Sequence, residues 1–436
     1  MILSHYSIVY PYEEKPGYVL LFSTKNTSKI LLKEATFKSI INRDFPTEDE
    51  ATLSRIGMIV PDIEAEKKEV FRMLDQINEK NQTLSISVIL NLDCNFNCIY
   101  CYEGGMKGSL YMTDKTAGLL IDFIKSRFAL NMTNINIDFY GGEPLLSLEL
   151  IKSISAELKS FAESKGVLYT FALITNGSLF KRRIAEELAL LGLKRIKTTI
   201  DGPPEIHNAC RPFKSGAGSF DTIIKNIKDT WDIVKISIGG NYREGSYEKY
   251  PLLFQHLKKE GLTPEKIYNM SFYPVMKNPA DISSSIDFTD GFMTLNEPWL
   301  IKASIYSREE IFKRGYNTPK LMPSLCQIEL NNYYVVNYDG GVFKCPSFIG
   351  RNNFEIGSLR EGVNDYSQSH KLGNWRNGEC EKCVYLPLCF GGCRYMSYVR
   401  DGNINCVDCQ KPYLDAALET LIKQDIKYRP RHQGVQ

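Results

Sequence analysis

Cys94, Cys98 and Cys101 stand in one short run, Cys94-Asn95-Phe96-Asn97-Cys98-Ile99-Tyr100-Cys101. Thiolates spaced by four and three residues can converge on a single inorganic cluster from one loop. Three thiolates are one fewer than the irons of a cubane cluster. The remaining iron keeps an open position, and an open position points to chemistry rather than architecture, as it does for catalytic against structural zinc. Zinc, the alternative, would need a fourth ligand, and His207, the first histidine after the run, falls in the loop of a later strand. A second and larger set follows: Cys326, Cys345, Cys380, Cys383, Cys389, Cys393, Cys406 and Cys409. Cys-x2-Cys knuckles are typical of structural zinc, so a pair of zinc sites is the alternative to iron–sulfur clusters here. Cys210 is the remaining cysteine, read as an ordinary small residue of its loop.

With 12 cysteines so clustered, metal binding or catalysis explains them better than disulfides in a reducing compartment. The N-terminal residues 1–15 lack a basic stretch followed by an apolar one, and no apolar run approaches the roughly 20 residues that span a bilayer. A cytoplasmic location without a membrane partner is therefore expected. The 53 basic and 51 acidic side chains leave a net charge of +2, which gives no reason to expect a nucleic-acid partner. The basic tail 423–431 is read as a solvated end.

The cysteines must be positioned by elements that the hydrophobic pattern reveals. Six candidate strands, 84–92, 134–140, 168–175, 194–200, 234–240 and 267–275, alternate with helical stretches 114–128, 148–164, 181–191, 220–230 and 247–260. Repeated βα units imply an α/β fold, a parallel sheet with helices outside it. Six units are too few for a closed eight-stranded barrel, so an open partial (β/α)6 barrel is expected, with a flat doubly wound sheet as the alternative. Residues 1–82 read as a small α+β unit: a hairpin of 18–23 and 29–32, short helices at 33–41 and 48–55 with Thr47 as a cap, a strand at 57–61 and a charged helix at 65–79. Residues 276–320 read as transitional. Beyond 321 helices are scarce until 411–424, and such a cysteine-rich segment is usually held together by metal. The expected domains are 1–82, 83–310 and 311–436.

The C-x3-C-x2-C run, with Tyr100 before its last cysteine, resembles the signature of the radical S-adenosylmethionine (SAM) superfamily. The resemblance implies a [4Fe–4S] cluster whose open iron chelates SAM, reductive cleavage of the cofactor, and a 5′-deoxyadenosyl radical that abstracts hydrogen from substrate. The next strand ends in Tyr140-Gly141-Gly142-Glu143-Pro144, which resembles the superfamily's motif for the SAM amino group. Two glycines let backbone carbonyls approach an ammonium closely, and Glu143 can supply charge or fix the loop. By the same resemblance, Thr175, Asn176, Asp201 and Asn241, each after a successive strand, are candidates for the ribose and carboxylate of SAM. In a βα barrel these strand ends open onto one face.

The later cysteines resemble the SPASM extension of radical SAM enzymes, which implies two auxiliary [4Fe–4S] clusters and three in all. By that resemblance, Cys326, Cys345 and Cys393 would bind the first. Cys380, Cys383, Cys389 and Cys409 would bind the second, while Cys406 either completes the first or is spare. Enzymes with this extension mostly modify peptides or proteins, so a ribosomally made precursor peptide, joined by a thioether or another crosslink, is the substrate implied. A flavodoxin or ferredoxin is the electron donor implied. The N-terminal unit resembles the winged-helix peptide-recognition modules of such enzymes, with a plain structural cap as the alternative. The run Asp408-Cys409-Gln410-Lys411 before the last helix is similar to that of geopeptide maturases. Sulfatase-maturing relatives usually carry an acidic residue after the second auxiliary-domain cysteine, but here Pro346 follows Cys345. A maturase of folded proteins and a non-catalytic peptide-binding scaffold are the other readings.

Overall fold

A computed structural model of the chain describes residues 1–44, 47–101, 103–275 and 298–429. These residues form two compact units, one drawn from 1–80, 320–331 and 370–429, the other from 81–275, 298–319 and 332–369.

The larger unit is built on a ten-stranded sheet. Six neighbouring strands of it are parallel and lie in chain order: β6 (Thr83–Ile89), β7 (Asn134–Tyr140), β8 (Leu168–Ile174), β9 (Leu193–Thr199), β10 (Lys235–Tyr242) and β11 (Asn269–Pro274). The helices between them are α4 (Asp114–Arg127), α5 (Leu148–Ser164), α6 (Arg182–Leu190), α7 (Pro204–Cys210) with α8 (Phe220–Thr230), and α9 (Tyr250–Lys259). β7 shows why these segments form strands: Ile135, Ile137 and Phe139 are fully buried while Asn134, Asn136 and Asp138 alternate with them. The buried set packs on helix residues such as Leu120, Ile151, Leu188, Ile223 and Leu253 in one core. Each fully buried Ile or Leu contributes about 1.5–3 kcal/mol.

The sheet continues past β6 with β12 (Tyr333–Val336), parallel to it, and then β13 (Gly341–Phe343), β14 (Gly357–Ser358) and β15 (Gly362–Val363) in antiparallel order. Part of the segment expected in the cysteine-rich region therefore extends the central sheet. The sheet is open, with β11 and β15 as its edges. Helix α10 (Pro298–Lys313) lies in the stretch read as transitional, and residues 276–297 of that stretch are outside the described residues.

The smaller unit begins with a three-stranded antiparallel sheet, β2 (Ser7–Pro11), β3 (Tyr18–Ser23) and β4 (Lys29–Lys33). A short ladder pairs β1 (Ile2–Leu3) with β5 (Ile59–Val60), and α1 (Glu34–Ile41), α2 (Thr47–Arg55) and α3 (Ile63–Lys80) complete the N-terminal part. The side chain of Thr47, expected as a cap, falls outside the described residues. The C-terminal part adds α11 (Gly378–Glu381), α12 (Leu386–Cys389), α13 (Arg394–Asp401) and α14 (Lys411–Tyr428). The two parts share cores: Leu20 and Phe22 pack with Leu388, Leu414, Leu418 and Ile422, and Val70 and Leu74 pack with Trp375 and Phe390. Polar links join them as well, Thr24 Oγ1 donating to Val384 O at 2.6 Å and Arg376 pairing with Asp75 at 2.6 Å. Among the described residues no helix is long and apolar enough to cross a membrane.

Candidate functional site

The run from Cys94 to Cys101 follows β6 and is fixed by backbone pairing to the loop after α7. Asn97 N donates to Pro212 O at 2.9 Å, Ile99 N to Cys210 O at 3.1 Å, and Lys214 N to Asn95 O at 2.9 Å. Phe96 and Phe213 form an isolated bridge and meet edge to face at 4.9 Å. The three thiols lie within electrostatic reach of one another. Burial pushes each thiol pKa up, and the ammonium of Lys107 pulls each back. Lys107 returns over the loop to donate to Phe96 O at 3.3 Å.

The loop after β7 is shaped by close approach. A Cβ on Gly142 would sit 2.0 Å from Asp93 O, and Gly141 has φ +122°, so only glycine fits both positions. Gly142 N donates to Asn91 O and Glu143 N to Asp93 O, at 3.0 and 2.7 Å. Pro144 opens a short 3-10 turn.

Glu143 is fully buried, and its carboxylate is consumed internally. Oε1 accepts from Thr175 Oγ1 at 2.7 Å and Leu145 N at 3.1 Å, and Oε2 accepts from Asn176 N at 2.8 Å. Burial raises its pKa, and these donors offset part of that shift. Of the two roles open to it in sequence, Glu143 performs loop fixing here. Asn176 also faces inward: its Nδ2 donates to Asn95 Oδ1 at 2.8 Å and contacts Cys94 Sγ at 3.8 Å.

A second network holds the remaining strand-end residues. Tyr100 OH donates to Asp201 Oδ2 at 2.5 Å and accepts from Arg211 Nη1 at 2.9 Å and Asn241 Nδ2 at 3.1 Å. Asp201 Oδ1 accepts from Asn241 N at 2.8 Å. Burial raises the Asp201 pKa against the pull of Arg211. Behind it, His207 Nδ1 accepts from Asp201 N at 3.3 Å, so Nε2 carries the proton and faces Ser219 Oγ at 3.0 Å. Ser219 in turn donates to Arg211 O at 2.6 Å. Tyr100, Asp201 and Asn241 thus meet in one network, while Glu143, Thr175 and Asn176 meet in another. The cysteine run contacts both.

Arg211 and Lys107 are cations that sequence reasoning missed. No spacing marks either one. Arg211 is buried, with Nε lacking a hydrogen-bond partner, and its charge acts on Cys98. Its place becomes visible only once residues 210–214 are known to pair with the cysteine run.

In the smaller unit Cys380, Cys383, Cys389 and Cys409 are electrostatically coupled, Cys409 acting on each of the other three. Asn377 caps α11 through Oδ1, accepting from Glu379 N and Cys380 N at 3.1 and 3.0 Å. Cys326 and Cys393 form a separate coupled pair. Gly392, at φ +71°, lies so close to Asp408 that a Cβ would come 2.0 Å from its carbonyl oxygen, and Asp408 Oδ2 accepts from Cys393 N at 3.1 Å. The carbonyl of Cys406 accepts from Asn374 Nδ2 at 2.8 Å. Cys345, just after β13, belongs to the larger unit. None of the cysteines is paired in a disulfide. Among the described residues no group of three or more His, Cys, Asp or Glu side chains is drawn tightly enough to hold a single metal ion. A cubane spreads its thiolates more widely than one ion does, and three mutually coupled sulfurs on a loop with no histidine or carboxylate among them suit such a cluster.

Residues 88–232 match the family model of the radical SAM superfamily. The chain is also 34% identical over 268 residues to an uncharacterized protein of Methanocaldococcus jannaschii, covering 59% of this chain and 82% of that protein. The chain belongs to the radical SAM superfamily. Its fold is similar to that of native anSMEcpe with bound AdoMet and Cp18Cys peptide, at TM-score 0.61 and 19% identity over 79% of this chain and 99% of the other. It is also similar to Streptococcus suis SuiB bound to precursor peptide SuiA, at TM-score 0.54 and 15% identity over 94% of this chain and 98% of the other.

Proposed function

We propose that this chain is a radical SAM peptide maturase that acts on a ribosomally made precursor, of the geopeptide type or a related one, to form a thioether or another crosslink. The observation that carries the reading is the convergence of the cysteine run with the loops after β7, β8 and β9 and the end of β10 at one end of a parallel sheet. Cys94, Cys98 and Cys101 would hold a [4Fe–4S] cluster with one iron left for SAM. When bound, that pair supplies one-electron cleavage of the cofactor and a hydrogen-abstracting radical. Gly141 and Gly142 keep side chains away from the place where an ammonium would meet their carbonyls. Glu143 locks that loop to Thr175 and Asn176, and Tyr100 ties Asp201 and Asn241 to the buried cation of Arg211, which suits it to balance a cofactor carboxylate.

Cys380, Cys383, Cys389 and Cys409 would hold one auxiliary cluster, and Cys326, Cys345 and Cys393 another. The edge strands of the three-stranded N-terminal sheet suit a leader segment that adds as a further strand. A flavodoxin or ferredoxin would supply the electron. Pro346 after Cys345 offers no base and weighs against sulfatase-type maturation. Reduced, reconstituted protein with SAM should release 5′-deoxyadenosine, and Cys98→Ala should release none. Equal release from both would end the reading.

A further inference from the structure

The two faces of the central sheet differ in chemistry. Ile137 and Phe139 of β7, Phe171 and Leu173 of β8, Ile196 of β9 and Ile236 of β10 lie in the core with the helices. Alternation turns the residues between them to the opposite face: Asp138, Ala172, Arg195, Lys197 and Ser237. Strand register sets them side by side. Asp138 pairs with Ala172, Ala172 with Arg195, and Lys197 with Ser237.

Among the described residues two cations here form no close ion pair. Among the described residues no carboxylate lies within 4.0 Å of Arg195 or Lys197, and the Lys197 ammonium sits 5.7 Å from the ring centre of Tyr273. Burial lowers the Lys197 pKa, and the like charge of Arg195 lowers it further. The side chain nevertheless remains open to solvent, so a ligand can reach it. Small residues leave the space clear: Ala172 has only a methyl group, and a Cβ on Gly239 would come 3.1 Å from Lys197 Cε. Beside them Asp138 Oδ1 is enclosed without a hydrogen-bond partner, and its carboxylate feels the charge of Arg195 and the side chain of Asn136. An enclosed acceptor with no donor is unfavourable, and a ligand N–H would satisfy it.

We propose that this face carries a substrate subsite in which Lys197 and Arg195 take a carboxylate and Asp138 takes an N–H of the same peptide. The inference rests on the peptide-maturase reading and names the part of the peptide that is recognised. A polyphosphate suits the site poorly, because Asp138 would oppose it. The carboxylate can come from an acidic side chain or from the chain terminus.

Footprinting tests it on the reconstituted protein with SAM bound. Lysines are acetylated under limiting N-hydroxysuccinimidyl acetate, and the rate at Lys197 is measured by peptide mass spectrometry against that at exposed Lys115. The probes, at millimolar concentration, are N-acetyl-Gly-Glu-Gly-amide, N-acetyl-Gly-Gly-Gly with a free carboxylate, the neutral N-acetyl-Gly-Gln-Gly-amide, and GTP. A carboxylate peptide should slow labelling of Lys197 roughly fivefold more than the neutral one, as a charge-assisted bond outweighs a neutral one. Arg195→Gln should remove most of that difference. Whichever carboxylate peptide protects identifies the source. Equal protection by the three peptides, or protection by GTP alone, overturns the proposal. The release of 5′-deoxyadenosine, measured on the same sample, separates failure of this subsite from failure of the maturase reading.

Discussion

Replacing Glu143 by glutamine separates a residue that braces a loop from one that meets the cofactor directly. Three donors converge on this carboxylate: Thr175 Oγ1, Leu145 N and Asn176 N. Glutamine keeps one acceptor oxygen and turns an amide NH2 toward the donor on the other side. The variant therefore loses at least one bond to a charged acceptor and strands a buried N–H, for a cost of about 2–4 kcal/mol. In a unit of this size that corresponds to a fall of roughly 3–7 °C in the melting temperature of the larger unit. Asn176 N is one of these three donors and orients the amide that contacts Cys94, so SAM affinity should fall together with stability. Calorimetry of the reconstituted protein, with equilibrium dialysis of SAM, reads both quantities. Weakened SAM binding at an unchanged melting temperature would refute the bracing role, because it would place the Glu143 charge against the cofactor.

Tyr100→Phe deletes the hydroxyl that joins Asp201, Arg211 and Asn241, and should cost about 2–3 kcal/mol with weaker SAM binding; an unchanged melting temperature would contradict this. Cys409→Ser should lower iron content by about four atoms per chain, whereas Cys406→Ser should lower it by fewer; equal losses on metal and sulfide analysis would reverse the choice between them. His207 is held neutral, its pKa lowered to about 3 by burial and then by Arg211. The unfolded chain then binds the extra proton below the ordinary histidine pKa, so stability falls as pH drops from about 6.5 toward 3. Between about pH 7.5 and about pH 5.5 the loss is about 1.4 kcal/mol by urea unfolding, and it should vanish in His207→Gln.

The strands and helices of the larger unit were legible because each buries one face against a single core. β7 and α5 occur where alternation and helical periodicity place them, and α14 starts at Lys411 as expected but runs on to Tyr428. β1, with two residues, was not legible, being too short to show a period, whereas β5 lies within the strand expected at 57–61. The union of the N-terminal sheet with the C-terminal cysteine segment also left no local mark, since it depends on Leu20 and Phe22 meeting Leu414 and Leu418 across almost the whole chain. At the site, the cysteines and glycines announced themselves by spacing. The direction of the Glu143 carboxylate did not, because both of its possible roles require the same residue type.

The backbone bridge between Phe96 and Phe213 bears on repair. The thiol-bearing run is pinned to a neighbouring loop by backbone hydrogen bonds, so the chain itself sets part of its form. Were a cluster there destroyed by oxygen, that pairing would hold the run near its place while iron and sulfide were resupplied.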